Sequence, residues 1–68
     1  MRKVIEVGDA IKARREELGM TQAKLARLLE VDVAQLSRWE RGVYSPSLNI
    51  FRDIAKALKT TLTKMLGD

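Results

Sequence analysis

Apolar residues recur along this 68-residue chain at spacings of three and four rather than two, with glycine and proline between the apolar runs. This spacing places apolar side chains on one face of a helix, whereas a half-buried strand needs strict alternation. The pattern predicts five helices, at about 7–18, 22–29, 33–41, 48–58 and 62–66, and no strand. We therefore expect an all-α fold, a compact five-helix bundle that forms a single domain over residues 1–68.

The ends of the predicted helices carry capping residues. A residue whose side-chain oxygen can accept a backbone N–H stands just before four of the helices. These residues are Thr21, Asp32, Ser47 and Thr61. Gln35 follows Asp32 by three positions, so the two resemble a capping box. Gly19 and Gly42 stand where the first and third helices end, and glycine adopts the positive φ of such ends without a steric penalty.

Each predicted helix carries apolar residues that we expect to face the core. On the first four helices they are Val7, Ile11 and Leu18; Leu25, Ala26 and Leu29; Leu36 and Trp39; and Phe51, Ile54, Ala55 and Leu58. Charged residues lie off these faces, and we expect the cluster of Arg14, Glu16 and Glu17 to be solvated.

The composition of the chain argues against enzymatic, metal-binding and membrane-spanning functions. The chain has no cysteine and no histidine, so it lacks disulfides, thiolate sites, the commonest general base and the commonest metal ligand. Because the sequence shows no nucleophile–base pair, ligand cluster or phosphate loop, we expect no enzyme activity, metal, cofactor or small-molecule ligand. No apolar run approaches the roughly 20 residues that span a bilayer, and we expect a cytoplasmic protein without membrane contact.

The most informative feature is a pair of short helices, 21–29 and 33–41, separated by about three residues. Such a pair buries little surface alone and needs flanking helices beneath it, which leaves the second helix exposed at its N-terminal end. That helix fits the roughly 12 Å major groove of B-DNA, and the net charge of +4 favours an anionic partner. From spacing alone, an ordinary helical bundle is an equally good interpretation.

Several ordered segments make the interpretation more specific. They are 21–26 (TQAKLA), 37–42 (SRWERG), 46–48 (PSL) and 55–58 (AKAL), with Val31 and Leu36 between the first two. They resemble the Cro/repressor family of helix-turn-helix proteins, the lambda-repressor-like group of phage repressors and xenobiotic-response-element-type bacterial regulators. The resemblance covers about residues 7–66. It implies a five-helix domain that binds double-stranded DNA operators, usually as a dimer, with the third helix in the major groove.

The resemblance also implies roles for individual residues. The positions that face the bases fall on Val33, Ala34, Ser37 and Arg38, with Gln35 beside them. The positions that contact phosphates fall on Gln22, Arg41 and the backbone of Gly42, Val43 and Tyr44. Arg15 and Glu40 match a structural ion pair between the first and third helices.

The chemistry of these side chains decides some roles and leaves others open. Arg38 can bind guanine O6 and N7 with two hydrogen bonds, the commonest specific contact in the major groove. Val33 and Ala34 lack donors, so they either pack on thymine C5-methyl groups or only shape the surface. Gln35 either reads a base or is used in the capping box. Tyr44 either donates to a phosphate or covers the core beneath its loop.

Two departures from the family pattern affect the backbone. Glu30 and Lys59 stand where glycine is common, after the second and fourth helices. A non-glycine residue in the left-handed conformation costs roughly 1–2 kcal/mol. We expect the fold to tolerate this cost at both positions.

We predict a sequence-specific DNA-binding transcriptional regulator of the repressor type, which binds a palindromic operator as a homodimer. The dimer interface is expected at apolar residues that a short C-terminal helix cannot bury, together with one residue of the fourth helix. These are Leu62, Met65, Leu66 and Ile50. Closure of the monomer core is the alternative role for Leu62 and Met65. Two alternative functions use the same fold: an antitoxin or other protein-interaction module, and the controller protein of a restriction–modification system.

Overall fold

Four helices make up the described part of the chain, which comprises residues 7–60 and Lys64 of a computed structural model. They are α1 (Val7–Glu17), α2 (Gln22–Leu29), α3 (Val33–Arg41) and α4 (Leu48–Ala57). These residues include no strand, so the all-helical prediction is confirmed, and α2 and α3 have the predicted bounds. The fifth helix expected at 62–66, with its Thr61 cap, lies outside the described residues except for Lys64. The count of five is therefore not confirmed.

The core forms where α3 packs against α1 and α2, and where α4 packs against α2. Its buried apolar side chains all come from the faces predicted to be apolar. They are Ile11, Leu25, Ala26, Leu36, Trp39, Phe51, Ile54, Ala55 and Leu58. Leu18 is a wrong prediction: α1 ends at Glu17 and the chain turns at Gly19 (φ 68°), which leaves Leu18 39% exposed.

Two of the predicted N-caps are confirmed. The Thr21 Oγ1 accepts the Lys24 N–H at 3.0 Å, and the Ser47 Oγ accepts the Ile50 N–H at 3.2 Å. Each bond satisfies one of the N–H groups that the first turn of a helix leaves without an intrahelical partner. Replacing such a cap by alanine typically costs about 1 kcal/mol, so these residues help to define where α2 and α4 begin.

The capping box predicted at the start of α3 is wrong. Asp32 has the extended backbone of an N-cap, but its side chain makes no capping hydrogen bond. The Gln35 and Leu36 N–H groups instead bond to the Asp32 carbonyl oxygen at 3.0 and 3.1 Å. The Gln35 Oε1 lies 3.5 Å from the Arg38 Nη1. The Gln35 side chain therefore belongs to the surface of α3 and not to its cap.

Arg14 is not part of the solvated face predicted for it. Its Nε donates to the Leu58 carbonyl at 3.0 Å and its Nη2 to the Lys59 carbonyl at 3.2 Å. The last carbonyls of a helix lack intrahelical donors, and a cation is favourable at this end of the helix dipole. Arg14 thus ties α1 to the C-terminal end of α4, while its Nη1 pairs with Glu17 at 3.0 Å.

Glu30 and Lys59 both adopt the left-handed conformation expected at their positions, with φ of 59° and 57°. Glu30 caps the end of α2, and Lys59 follows the cap residue of α4. The Glu30 N–H bonds to the Arg27 carbonyl at 3.1 Å, and the Lys59 N–H bonds to the Lys56 carbonyl at 3.0 Å. These bonds offset part of the steric cost that a Cβ brings to this conformation.

We expect Glu30→Gly to raise the free energy of unfolding by about 1 kcal/mol, because glycine removes the Cβ clash of the left-handed conformation. Gly19→Ala is the matched control. A Cβ on Gly19 would meet no atom within 4 Å, so only backbone strain acts there. We therefore expect Gly19→Ala to lower the free energy of unfolding. Urea unfolding followed by circular dichroism measures both variants. A Glu30→Gly protein less stable than the wild type would contradict this description of the turn.

The backbone of α1 approaches the C-terminal part of α3 at Gly8, which is buried. A Cβ at this position would lie 2.5 Å from the Glu40 carbonyl oxygen and would also overlap the carbonyl oxygen of Trp39. Glycine is therefore needed for the two helices to come this close. The role of Gly8 could not be predicted from the sequence, because no local pattern distinguishes a glycine that contacts a distant backbone from one that does not.

Gly8→Ala should lower the free energy of unfolding by about 1–3 kcal/mol, because α1 must move away from α3 to admit the methyl group. Helix propensity predicts the opposite sign, a gain of about 1 kcal/mol. Ala13→Gly, at an exposed position of α1, is a control in which propensity alone acts and stability falls by about that amount. If Gly8→Ala instead unfolds at higher urea than the wild type, the close approach of α1 and α3 is refuted.

Candidate nucleic-acid interface

A tight turn, Glu30 to Asp32, joins α2 to α3. The left-handed Glu30 ends α2, and the next residue, Val31, donates its N–H to the Ala26 carbonyl at 3.0 Å. Ala26 is itself buried, and its small side chain allows neighbouring helices to pack closely. The turn therefore sets the position of α3 relative to α2.

The helix α3 has a buried face and an open face. Leu36, Trp39 and Glu40 are buried, and the last two follow Leu36 at the helical spacings of three and four. The other residues of α3 are exposed or half-buried. A helix with its side chains is about 10–12 Å in diameter and the major groove of B-DNA is about 12 Å wide. The open face thus has the size and the access that entry into the groove requires.

The residues predicted to face the bases all lie on α3 away from its buried face. Val33, at 44% exposed, begins the helix, and Ala34 and Arg38 are exposed as well. Gln35 and Ser37 are half-buried. The structure thus brings the five predicted side chains together on the first two turns of one helix.

Two arginines of the open face have no counter-ion in the described part of the chain. The Arg38 Nη1 lies 3.5 Å from the Gln35 Oε1, and the Arg41 Nε donates to the Ser37 Oγ at 3.2 Å. Neither arginine forms an ion pair among residues 7–60 and Lys64. A guanidinium has five N–H donors, so most of the donors of both side chains face solvent. This surface therefore presents positive charge to an anionic partner.

Arg15 and Glu40, predicted as a pair, join α1 to α3 through two hydrogen bonds. The Arg15 Nε lies 2.7 Å from the Glu40 Oε2, and the Nη2 lies 3.0 Å from Oε1. Only 8% of Arg15 and 5% of Glu40 is exposed. The Arg15 Nη1 also donates to the Met20 carbonyl at 2.8 Å. The hydrogen bonds to Glu40 raise the pKa of Arg15 above its ordinary value, so the guanidinium remains charged at neutral pH.

The side chain of Gln22, at the start of α2, is held by the same carboxylate. The Gln22 Nε2 donates to the Glu40 Oε1 at 2.9 Å. The amide retains one further N–H, which is the donor that it can offer to a phosphate. Gln22 and the Arg15–Glu40 pair were predicted to have separate roles, but they belong to one hydrogen-bonded network.

The loop after α3 offers fewer backbone donors than predicted. The Gly42 N–H bonds to the Trp39 carbonyl at 3.2 Å, and the Val43 N–H bonds to the Arg38 carbonyl at 3.0 Å. Both groups close the end of α3 and are not free to hold a phosphate. Tyr44 is 61% exposed and takes no part in the hydrogen bonds of the described residues. Its side chain therefore does not cover the core and is accessible to a ligand.

The predicted dimer surface is described at one residue. Ile50 is half-buried and packs against the core, so part of its side chain is used within the monomer. The other three residues predicted for this surface, Leu62, Met65 and Leu66, lie outside the described residues.

Residues 11–65 match the family model described as helix-turn-helix. This match contains α2, the turn and α3, together with α4 and most of α1. The chain belongs to the helix-turn-helix family. Within the described part of this helix-turn-helix chain, no helix is long and apolar enough to cross a membrane, and no group of potential ligand side chains could hold a metal ion.

Curated relatives of this helix-turn-helix chain are transcriptional regulators. It is 34% identical over 67 residues to the HTH-type transcriptional regulator DicA of Escherichia coli K12, which covers 97% of this chain and 50% of DicA. It is 36% identical over 62 residues to the immunity repressor protein of Bacillus phage phi105, which covers 91% of this chain and 43% of that protein. The chain thus spans about half the length of these relatives. The resemblance to the Cro/repressor family is confirmed.

Solved structures of the P22 c2 repressor have the same helix-turn-helix fold. The solution structure of its DNA-binding domain superposes with a TM-score of 0.90 at 29% identity, over 98% of this chain and 90% of that one. The crystal structure of P22 c2 repressor in complex with a synthetic operator superposes with a TM-score of 0.80 at 29% identity, over 97% of each chain. The arrangement of α1 to α4 is therefore similar to that of a repressor seen with DNA.

Proposed function

We propose that this helix-turn-helix chain is a sequence-specific DNA-binding transcriptional regulator of the repressor type, which binds a palindromic operator as a homodimer. The observation that carries the proposal is the open face of α3. It begins with exposed methyl groups and continues with two arginines that lack counter-ions among residues 7–60 and Lys64. The opposite face is anchored by Trp39 and by the buried Arg15–Glu40 pair. The buried face of α3 thus anchors the helix to the protein, and the side chains of its open face are accessible to a ligand.

The side chains of the open face suit the edges of base pairs in the major groove. Arg38 suits guanine, whose O6 and N7 accept two hydrogen bonds from a guanidinium. Val33 and Ala34 expose methyl groups, which suit the C5-methyl group of thymine. The Gln35 side chain is not used as a cap and places its amide beside Arg38. We infer a half-site that contains a guanine flanked by thymine.

The phosphate contacts that support this docking come from the border of the open face. Gln22 offers an amide N–H at the N-terminus of α2, where the helix dipole also favours an anion. Arg41 and Tyr44 offer side-chain donors near the end of α3. Val43 is excluded as a backbone donor, because its N–H is bonded to the Arg38 carbonyl. Such contacts set the register of a protein on DNA and carry no sequence information.

Arg38→Ala should weaken binding by about 1–3 kcal/mol at sites with the preferred base pair, and it should remove the preference at that one position of each half-site. Gln22→Ala is the control, because loss of a phosphate contact weakens binding to all sequences equally. Both are measured by titrating labelled operators that differ at single positions. Equal losses on every sequence for Arg38→Ala would assign that residue to a phosphate.

Selection of bound sequences from a random DNA pool tests the proposal as a whole. We expect the chain without any partner protein to enrich a palindrome whose half-sites lie about 10–10.5 base pairs apart, centre to centre. A control pool selected with the Arg38→Ala variant should return a consensus that is degenerate at the position Arg38 reads. If the wild-type chain enriches no consensus, the proposal fails, and a protein-interaction module becomes the better interpretation.

A further inference from the structure

A groove of about 430 Å³ lies where α1, α2 and α3 meet. It is lined by Asp9, Lys12, Gln22, Ser37, Glu40 and Arg41. Two of these residues, Gln22 and Arg41, are the ones to which phosphate contacts are assigned above. The α1 helix supplies Asp9 and Lys12, to which no role has been given. One side of the proposed phosphate site is thus formed by a helix outside the helix-turn-helix pair.

The Lys12 side chain is exposed and has no partner among the residues that the structure describes. It forms no ion pair or hydrogen bond within residues 7–60 and Lys64. Asp9 precedes it by three positions, a spacing at which side chains on a helix are neighbours, but the two charges do not lie within ion-pair distance. The ammonium group therefore remains available to a ligand in the groove.

The charges around the groove leave an excess of positive charge at its mouth. The Glu40 carboxylate is buried and is neutralised by two hydrogen bonds from Arg15. The exposed charges are then those of Lys12 and Arg41 against the single carboxylate of Asp9. The neutral Gln22 amide and Ser37 hydroxyl add hydrogen-bonding groups between them. This combination suits a singly charged anion such as a phosphodiester.

We propose that Lys12 binds a phosphate of the DNA backbone in this groove, together with Gln22 and Arg41. The inference rests on the proposed function and extends the DNA interface to α1. Lysine acts as a flexible point charge and does not need the fixed geometry of a guanidinium, so it can reach a phosphate from the far wall of the groove. The carboxylate of Asp9 repels the same phosphate and so lowers the affinity of the groove for it.

The test measures how DNA affinity depends on salt. Each neutralised phosphate contributes about 0.9 to the slope of log affinity against log salt concentration. We expect Lys12→Gln to reduce the magnitude of this slope by about one per bound chain and to weaken binding by about 3- to 10-fold near 0.1 M salt, with an unchanged consensus. Lys56→Gln is the matched control, because Lys56 is also exposed but lies on α4 beside a different groove.

Asp9→Asn provides a second test with the opposite sign. Removal of this carboxylate should tighten binding by about 2- to 5-fold at low salt, since a like charge no longer faces the phosphate. Thermal melts of both variants establish that the folded fraction is unchanged. A slope for Lys12→Gln equal to that of the wild type, or an affinity for Asp9→Asn that is unchanged or weaker, would refute a phosphate in this groove.

The outcome for Lys12 is distinguishable from the outcome for the function itself. If the wild-type chain selects an operator and Arg41→Gln lowers the salt slope while Lys12→Gln does not, the proposed function stands and only the role of Lys12 is refuted. If the wild-type chain shows no salt-dependent DNA binding, the proposed function fails first, and the inference about Lys12 fails with it.

Discussion

Glu40→Ala is expected to lower the free energy of unfolding by about 3–5 kcal/mol, because it leaves the Arg15 guanidinium buried without its carboxylate. With 8% of Arg15 exposed, water does not replace the lost partner. The total stability of a native protein is about 5–15 kcal/mol, and the loss is a large fraction of it. Urea unfolding followed by circular dichroism measures the difference. It is done at low temperature so that the variant is still folded before urea is added.

A double variant separates the cost of a stranded charge from the contribution of the pair. Arg15→Met with Glu40→Leu removes both charges and keeps apolar volume, a change that is often neutral or stabilising for buried pairs. We expect this variant to be more stable than Glu40→Ala, although it loses the hydrogen bonds to Met20 and Gln22. Exposed pairs contribute about 0–1 kcal/mol, so a loss within that range for Glu40→Ala would show that the pair is accessible to water.

Insertion of five base pairs between the half-sites of the operator is expected to weaken binding by about 100-fold. The two α3 helices of a twofold-symmetric dimer reach half-sites about 34 Å apart on one side of the duplex, and half a turn rotates one half-site to the opposite side. Specific binding exceeds non-specific binding by about 4–10 kcal/mol. Loss of one half-site removes roughly half of this difference. Titration of labelled duplexes by fluorescence anisotropy gives the affinities.

The control places the same five base pairs outside the operator, where length changes but half-site geometry does not. That duplex should bind as the original operator does. Sedimentation of the complexes should show two chains on each operator. A single chain on the full site, with an affinity that the internal insertion leaves unchanged, would exclude the proposed homodimer.

The helices could be predicted from the sequence because their signals are local. Periodic apolar residues and caps such as Thr21 and Ser47 act within about four positions of one another, and they placed α2 and α3 at the observed bounds. The left-handed Glu30 and Lys59 were likewise expected from their positions after helices. The capping box at Asp32 failed, because a backbone carbonyl can accept the same N–H groups and spacing does not show which acceptor is used.

The candidate site could be predicted only in outline. The exposed residues of α3, with Arg38 and Val33 among them, follow from the helix period and from the resemblance to a family. The pattern did not show that Val43 uses its N–H to close α3, nor that Gln22 donates to Glu40. Such bonds depend on which donors and acceptors the fold brings within hydrogen-bonding distance of one another.

The sequence by itself determined the all-helical class of fold and the bounds of α2 and α3, because these depend on neighbours along the chain. The helix-turn-helix segment and the open face of α3 followed from the resemblance to a family together with the helix period. Only the tertiary structure decided which distant groups meet. It placed Gly8 against the backbone of α3, Arg14 on the two carbonyls that follow α4, and Lys12 beside Gln22 in one groove. The reason is physical: the distance between residues far apart in the chain is defined only when helices pack, and packing depends on the whole core at once.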